Sequence, residues 1–204
     1  YDLLLKIDDL KVNLDNRRKD LEIALDELAI LVSTNEADIR TARDSVTDAE
    51  DAYSKYWRLE GPRDRDEQQL TVDEAKKALD DAESELTALQ DEVSMTVYAD
   101  AAAEEKAQKD IETAEQKRDS AKTKYNSAIL ERKIFKRYTQ PNKLKELRNK
   151  LAQAQLNLKK TKVRTEASLA QKKKQIFQHE TQIRKYERDL KKHQSYVPMM
   201  TLRA

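Results

Sequence analysis

Apolar residues recur along most of this chain at alternating three- and four-residue steps, the spacing that puts them on one stripe of a helix. Leu25, Val32, Ile39, Val46 and Tyr53 come every seven residues, beside a second series of Leu21, Leu28, Ala42, Ala49 and Tyr56 that Asn35 interrupts once. Further on, Val72, Leu79, Leu86 and Val93 interleave with Ala75, Ala82 and Leu89. A third line is poorer: Ala107, Ala114, Ala121, Ala128 and Phe135, with Ile111 and Tyr125 beside it. The last begins with Leu144, Leu147, Leu151, Ala154 and Leu158, and resumes with Leu169, Ile176, Ile183, Tyr186 and Leu190. Between these, Lys159 to Lys174 is polar, and a weak, mobile stretch of seam is expected there. A sustained seven-residue repeat predicts helices that supercoil left-handed on a partner helix.

The breakers divide this pattern almost symmetrically. Gly61-Pro62 and Pro141 lie equally far from the point between Ala101 and Ala102, and Pro198 falls in a short apolar segment near the C-terminus. The prediction is an all-α fold: a long antiparallel coiled-coil hairpin with paired mid-rod breaks and short β-strand edges at both termini. Helical segments are expected at about 10–60, 70–93, 101–138 and 142–194, with a tip at about 94–100. Arms of roughly 80–90 residues at about 1.5 Å rise make a rod on the order of 120–135 Å. Gly61 suits a left-handed helix end that Pro62 cannot continue. Thr71 and Glu74 have capping-box spacing. Gln140, ahead of Pro141, is pushed out of the α region, and Asp100 can cap a helix starting at Ala101.

Composition narrows the class. Charged residues are 39% of the chain, hydrophobic ones 38% and aromatic ones 5%, which fits solvated helices with a narrow apolar seam. Near-zero net charge and the scarcity of Gly and Pro argue against disorder. The net charge of +1 hides a division: residues 1–100 hold 27 Asp and Glu against 13 Lys and Arg, and residues 101–204 hold 12 against 27. An acidic outgoing arm thus faces a basic returning arm, which selects orientation more than it adds stability. Lys172-Lys173-Lys174 reads as a solvated helix face, with a nucleic-acid or lipid-headgroup patch as the alternative.

Without cysteine there is neither a disulfide nor thiol chemistry. No apolar run approaches the roughly 18 residues a membrane span needs. A start at Tyr1 reads as a piece of a longer protein. His179 and His193, 14 residues apart, share one seam position and are expected to be polar seam residues rather than metal ligands. No phosphate loop, dinucleotide glycine motif or nucleophile elbow is present. The expectation is therefore a non-enzyme with no catalytic, cofactor-binding or metal residues.

Two places stand out. Tyr53, Tyr56, Trp57, Phe135 and Tyr138 cluster around the breaks, where packing that seals a joint formed by Trp57, Gly61, Pro62, Tyr138 and Pro141 is expected, and a ligand or partner site is the alternative. The apolar tip carries Val93, Met95, Val97, Tyr98 and Asp100, read either as local packing that closes the hairpin or as a surface for binding another protein.

The ends carry a resemblance. Asp2-Leu3-Leu4-Leu5-Lys6-Ile7-Asp8-Asp9 looks like the strand that ends the first half of a split lipoyl-like domain, and Tyr196 to Ala204, with Thr201-Leu202-Arg203-Ala204, resembles the strand that begins the second half. Lys136-Arg137-Tyr138-Thr139-Gln140-Pro141-Asn142-Lys143-Leu144-Lys145-Glu146-Leu147 is similar to a stretch in long-hairpin members of the HlyD-like membrane fusion proteins. That resemblance implies a periplasmic adaptor, anchored to the inner membrane by regions outside this chain, that joins an inner-membrane transporter to an outer-membrane or envelope channel in export or efflux. It also implies a homo-oligomer in the assembled complex, with no nucleic acid. The usual tip pattern of an Arg-Leu pair is missing, since Arg58-Leu59 lies at the mid-rod joint. Two other readings stay open: the receptor-binding hairpin of a bacteriocin-type toxin, and a structural coiled-coil rod.

Overall fold

The computed structural model describes residues 2–98 and 100–201. Four helices account for nearly all of them: α1 (Asp2–Lys55), α2 (Gly61–Met95), α3 (Ala101–Ile134) and α4 (Gln140–Thr201). One π-helical turn, Tyr56–Glu60, joins α1 to α2, and another, Phe135–Thr139, joins α3 to α4. The chain forms two compact units, Tyr1–Asp48 with Ala152–Ala204 and Ala49–Leu151.

In the first unit α1 and α4 run antiparallel. Arg18 pairs with Glu187 at 2.8 Å, Lys172 with Glu27, and the Asn35 side-chain amide donates to Ser168 Oγ at 3.2 Å and, more weakly, to the Thr165 carbonyl at 3.4 Å. Ile7, Leu14 and Ala24 are buried on α1, and Ile176 and Ile183 on α4. In the second unit α2 lies against α3, with Val72, Leu79, Ala82 and Leu86 buried on one helix and Ala114 and Ala128 on the other. Lys117 of α3 pairs with Glu85 of α2. In both units the partners are nearly symmetric about the point between Ala101 and Ala102, as the antiparallel hairpin requires.

Four expectations about helix ends are corrected. Gly61 is right-handed helical (φ −62°, ψ −40°), so it ends nothing. Its N–H bonds Tyr56 O, five residues back, and the Gln140 N–H likewise bonds Phe135 O. Each five-residue turn ends two residues before a proline, Pro62 or Pro141, with Gly61 or Gln140 between. Proline lacks the donor for the carbonyl four residues earlier and its ring clashes with that carbonyl; a widened turn absorbs the misfit and the helix goes on. Pro62, Pro141 and Pro198 thus all lie within helical stretches. Thr71 is no cap either: it sits mid-helix and its hydroxyl donates to Glu67 O at 3.0 Å.

The strand edges are also corrected. Asp2–Asp9 begins α1 and Tyr196–Thr201 ends α4, and no described residue is in a strand. A strand leaves its backbone groups open until a neighbouring strand pairs with them, whereas a helix satisfies them internally. Ile7 and Leu14, seven residues apart and both buried, continue the seam into this segment. Leu202, Arg203 and Ala204 of the second expected strand, and Ala99 of the tip, lie outside the described residues.

One seam line differs from the sequence pattern. On α1 the inward residues are Leu21, Ala24, Leu28, Leu31, Asn35, Ile39, Ala42, Val46 and Ala49, while Leu25 and Val32 are exposed. The steps alternate three and four except for two successive fours at Leu31–Asn35–Ile39. On α4 the inward line Thr161, Thr165, Ser168, Lys172, Ile176 and His179 holds two successive fours at Ser168–Lys172–Ile176. A four-residue insertion of this kind locally unwinds the supercoil.

Candidate functional site

The connection between α2 and α3 is built by local chemistry. Ser94 Oγ and Thr96 Oγ1 fold back on Asp91 O and Glu92 O, both at 2.7 Å, a back-bonding that competes with further helix. Thr96 then turns extended (φ −95°, ψ 130°). Asp100 is the N-cap of α3 as expected, its Oδ1 accepting the Ala103 N–H at 2.8 Å. Val93 and Tyr98 are half-buried, so part of the tip does close on itself. Met95 and Val97 do not: they are 83% and 97% exposed. Of the tip residues, Asp100 has a capping duty, and Met95 and Val97 are covered by no described residue to any large extent. Two such side chains offer a partner about 1.5–3 kcal/mol each if fully covered.

At the joint, Tyr56 is buried to 6% exposure, and Tyr53 and Phe135 are half-buried. Burial first, and then the Asp64 and Glu60 carboxylates, push the Tyr56 hydroxyl above its ordinary value, with Arg65 opposing them. Trp57 and Tyr138 point outward and are mostly exposed, so the expected aromatic seal is divided. Gln140 Nε2 donates to Gly61 O at 3.1 Å, and Arg65 Nε donates to the same oxygen at 3.3 Å. A small cleft of about 110 Å³ lies among Tyr56, Trp57, Arg65, Gln140 and Leu144. Pro62 is half-buried and Pro141 exposed.

The polar stretch of α4 is helical and holds a buried hydrogen-bonded group. Thr165 is buried, its hydroxyl donating to Lys162 O at 2.8 Å, and Ser168 Oγ donates to Thr165 O at 2.9 Å while accepting from Asn35. An open groove of about 510 Å³ flanks this group, with Thr34, Asp38, Thr161 and Arg164 on its walls. Sequence reasoning noted Asn35 only as an interruption; its helical phase, level with the polar run on α4, was the available signal. Lys172 is not a solvated residue as expected, since its side chain is 16% exposed and paired with Glu27. Lys173 and Lys174 are exposed.

His179 and His193 are half-buried on the seam side of α4, each with a buried Nδ1 that has no hydrogen-bond partner among the described residues. Among the described residues no cluster of His, Asp and Glu is placed to hold a metal ion. No described helix is long and apolar enough to cross a membrane. In comparisons with known proteins, no family and no curated sequence matches this chain.

Proposed function

We propose that this chain is the non-catalytic hairpin of a periplasmic adaptor, linking an inner-membrane transporter to an outer-envelope partner in export or efflux and docking through its tip. The observation that carries this reading is the near-complete exposure of Met95 and Val97 at the loop between two antiparallel helices. Apolar side chains held in water by a capped, hydrogen-bonded loop are explained by a partner that covers them. The resemblance of the ends and of the Pro141 region to membrane fusion proteins supplies the partner class.

A photo-crosslinking residue in place of Val97 tests the docking in envelope preparations. The expected product is a crosslink to an outer-envelope protein, lost when Met95 is changed to Asp while helicity is kept. Capture of a cell-surface receptor of another cell would favour the toxin hairpin. Equal, low labelling from Val97 and from a solvent-facing control such as Lys77 would remove the docking role.

A further inference from the structure

The cleft at the joint is walled by polar groups whose hydrogen-bonding capacity the chain leaves unused. Tyr56 is only 6% exposed and lines the cleft, yet its hydroxyl has no hydrogen-bond partner among the described residues. A buried tyrosine hydroxyl ordinarily has one. Trp57, Arg65, Gln140 and Leu144 complete the wall, and all five residues belong to the second unit.

The widened turn positions these groups. The Gly61 N–H is held by Tyr56 O, five residues back, so the Gly61 carbonyl stands beside Tyr56 at the start of α2. Gln140 Nε2 and Arg65 Nε both donate to that carbonyl, at 3.1 and 3.3 Å. These bonds fix both side chains at the cleft. They occupy one donor of Arg65; the other guanidinium N–H groups have no partner among the described residues. Single π-helical turns inside α-helices frequently mark functional sites.

Charge gives the sign of the ligand. Two carboxylates act on Tyr56, but each has a cation of its own: Glu60 pairs with Lys55 at 2.9 Å, and Asp64 with Arg63 at 3.7 Å. Arg65 also acts on Tyr56, and it has no ion-pair partner among the described residues. The charge left unmatched at the cleft is therefore positive. A guanidinium fork fits a carboxylate in two parallel hydrogen bonds, and the Tyr56 hydroxyl can donate a third. The Trp57 ring and Leu144 add an apolar wall, which a wholly polar anion would leave idle.

We infer that this cleft binds a small monocarboxylate with a short apolar tail. Its carboxylate lies on Arg65 and the Tyr56 hydroxyl, and its tail lies against Trp57 and Leu144. The cleft of about 110 Å³ has the volume of about four waters, which limits the acid to roughly the size of propionate. The site is at the opposite end of α2 from the tip and does not depend on what the tip binds.

Trp57 is the only tryptophan in the chain, so its fluorescence reports on the cleft without a label. Titration with sodium propionate should change it saturably, in the millimolar range. Propionamide, which has the same shape without the charge, should not, and neither should sodium chloride at equal ionic strength. Arg65→Gln should weaken binding at least tenfold and Tyr56→Phe severalfold, because each removes a hydrogen bond to a charged group. Arg65→Lys should recover part of the loss, and circular dichroism should be unchanged throughout. A response to chloride equal to that with propionate would reduce the effect to salt and overturn the inference. So would equal binding by the native chain and both weakening variants, or no saturable change in chains that remain helical.

Discussion

Gln140 reaches from the start of α4 to Gly61 at the start of α2 and donates its side-chain amide to that residue's carbonyl oxygen at 3.1 Å. The two residues close the two π-helical turns, since the N–H of each bonds a carbonyl five residues back. A glycine stands there for space and not for a left-handed backbone. A β-carbon on Gly61 would come 3.0 Å from Gln140 Nε2 and 3.0 Å from Tyr56 O, the carbonyl that closes its turn.

Gly61→Ala is therefore expected to destabilise by about 1 kcal/mol, even though alanine in place of glycine favours a helix by nearly as much. Gln140→Ala should cost about 1 kcal/mol for the lost hydrogen bond. The double variant should cost clearly less than the two added together, because Gly61→Ala already displaces Gln140. Urea denaturation of the four chains measures this, and full additivity would show that the residues are not coupled.

Asn35→Leu should raise stability by about 1–2 kcal/mol, some 2–8 °C in Tm, since it replaces a buried polar group without leaving an orphan. Ser168 still bonds Thr165 O and Thr165 still bonds Lys162 O. The cost falls on register, the usual role of a lone polar residue in a seam. Distances between spin labels at Ala29 and Lys173 should broaden in this variant. A sharp, unchanged distribution would deny Asn35 that role.

The Tyr56 hydroxyl is held above its usual value near 10 by burial and by Asp64 and Glu60. Its neutral form is thus favoured in the folded chain. The associated stability is complete below pH 10 and is lost as pH rises through the folded value. The difference in unfolding free energy between the native chain and Tyr56→Phe should be flat below pH 10 and decline above it. A difference that stays flat to pH 11.5 would contradict this.

Asp100→Ala removes the side chain that accepts the Ala103 N–H and should cost about 1 kcal/mol, confined to the first turns of α3. Hydrogen exchange at 103–106 should speed up severalfold while amides near Ala128 keep their rates. Asp100→Asn should restore most of the protection.

Most seam residues were legible because burial on a two-helix pair follows the repeat directly. Val72, Leu79, Leu86, Ala114, Ala128, Leu147, Ile176 and Ile183 are all buried as the spacing predicts. Leu25 and Val32 failed for a definable reason. Their phase is the one that Ile39, Val46 and Tyr53 keep, carried backward through the slip at Asn35. Both phases are apolar there, and only the facing helix selects Ala24 and Leu31. At the tip the apolar run and the Asp100 cap were visible, but the exposure of Met95 and Val97 beside a half-buried Tyr98 depends on the backbone after Thr96.

The sequence by itself determined the helices, their antiparallel pairing and the place of the tip, because period, charge division and mirrored prolines are properties of residue order. Only the tertiary structure decided that the prolines do not break the chain. A proline forbids one hydrogen bond locally, and whether the helix stops or widens by one residue depends on what packs beside it. Here Tyr56 is buried and Gln140 binds the Gly61 carbonyl, and those contacts favour the widened turn. The same holds for the ends: a strand needs a neighbour, and with none among the described residues the segment at Ile7 joins the seam as helix.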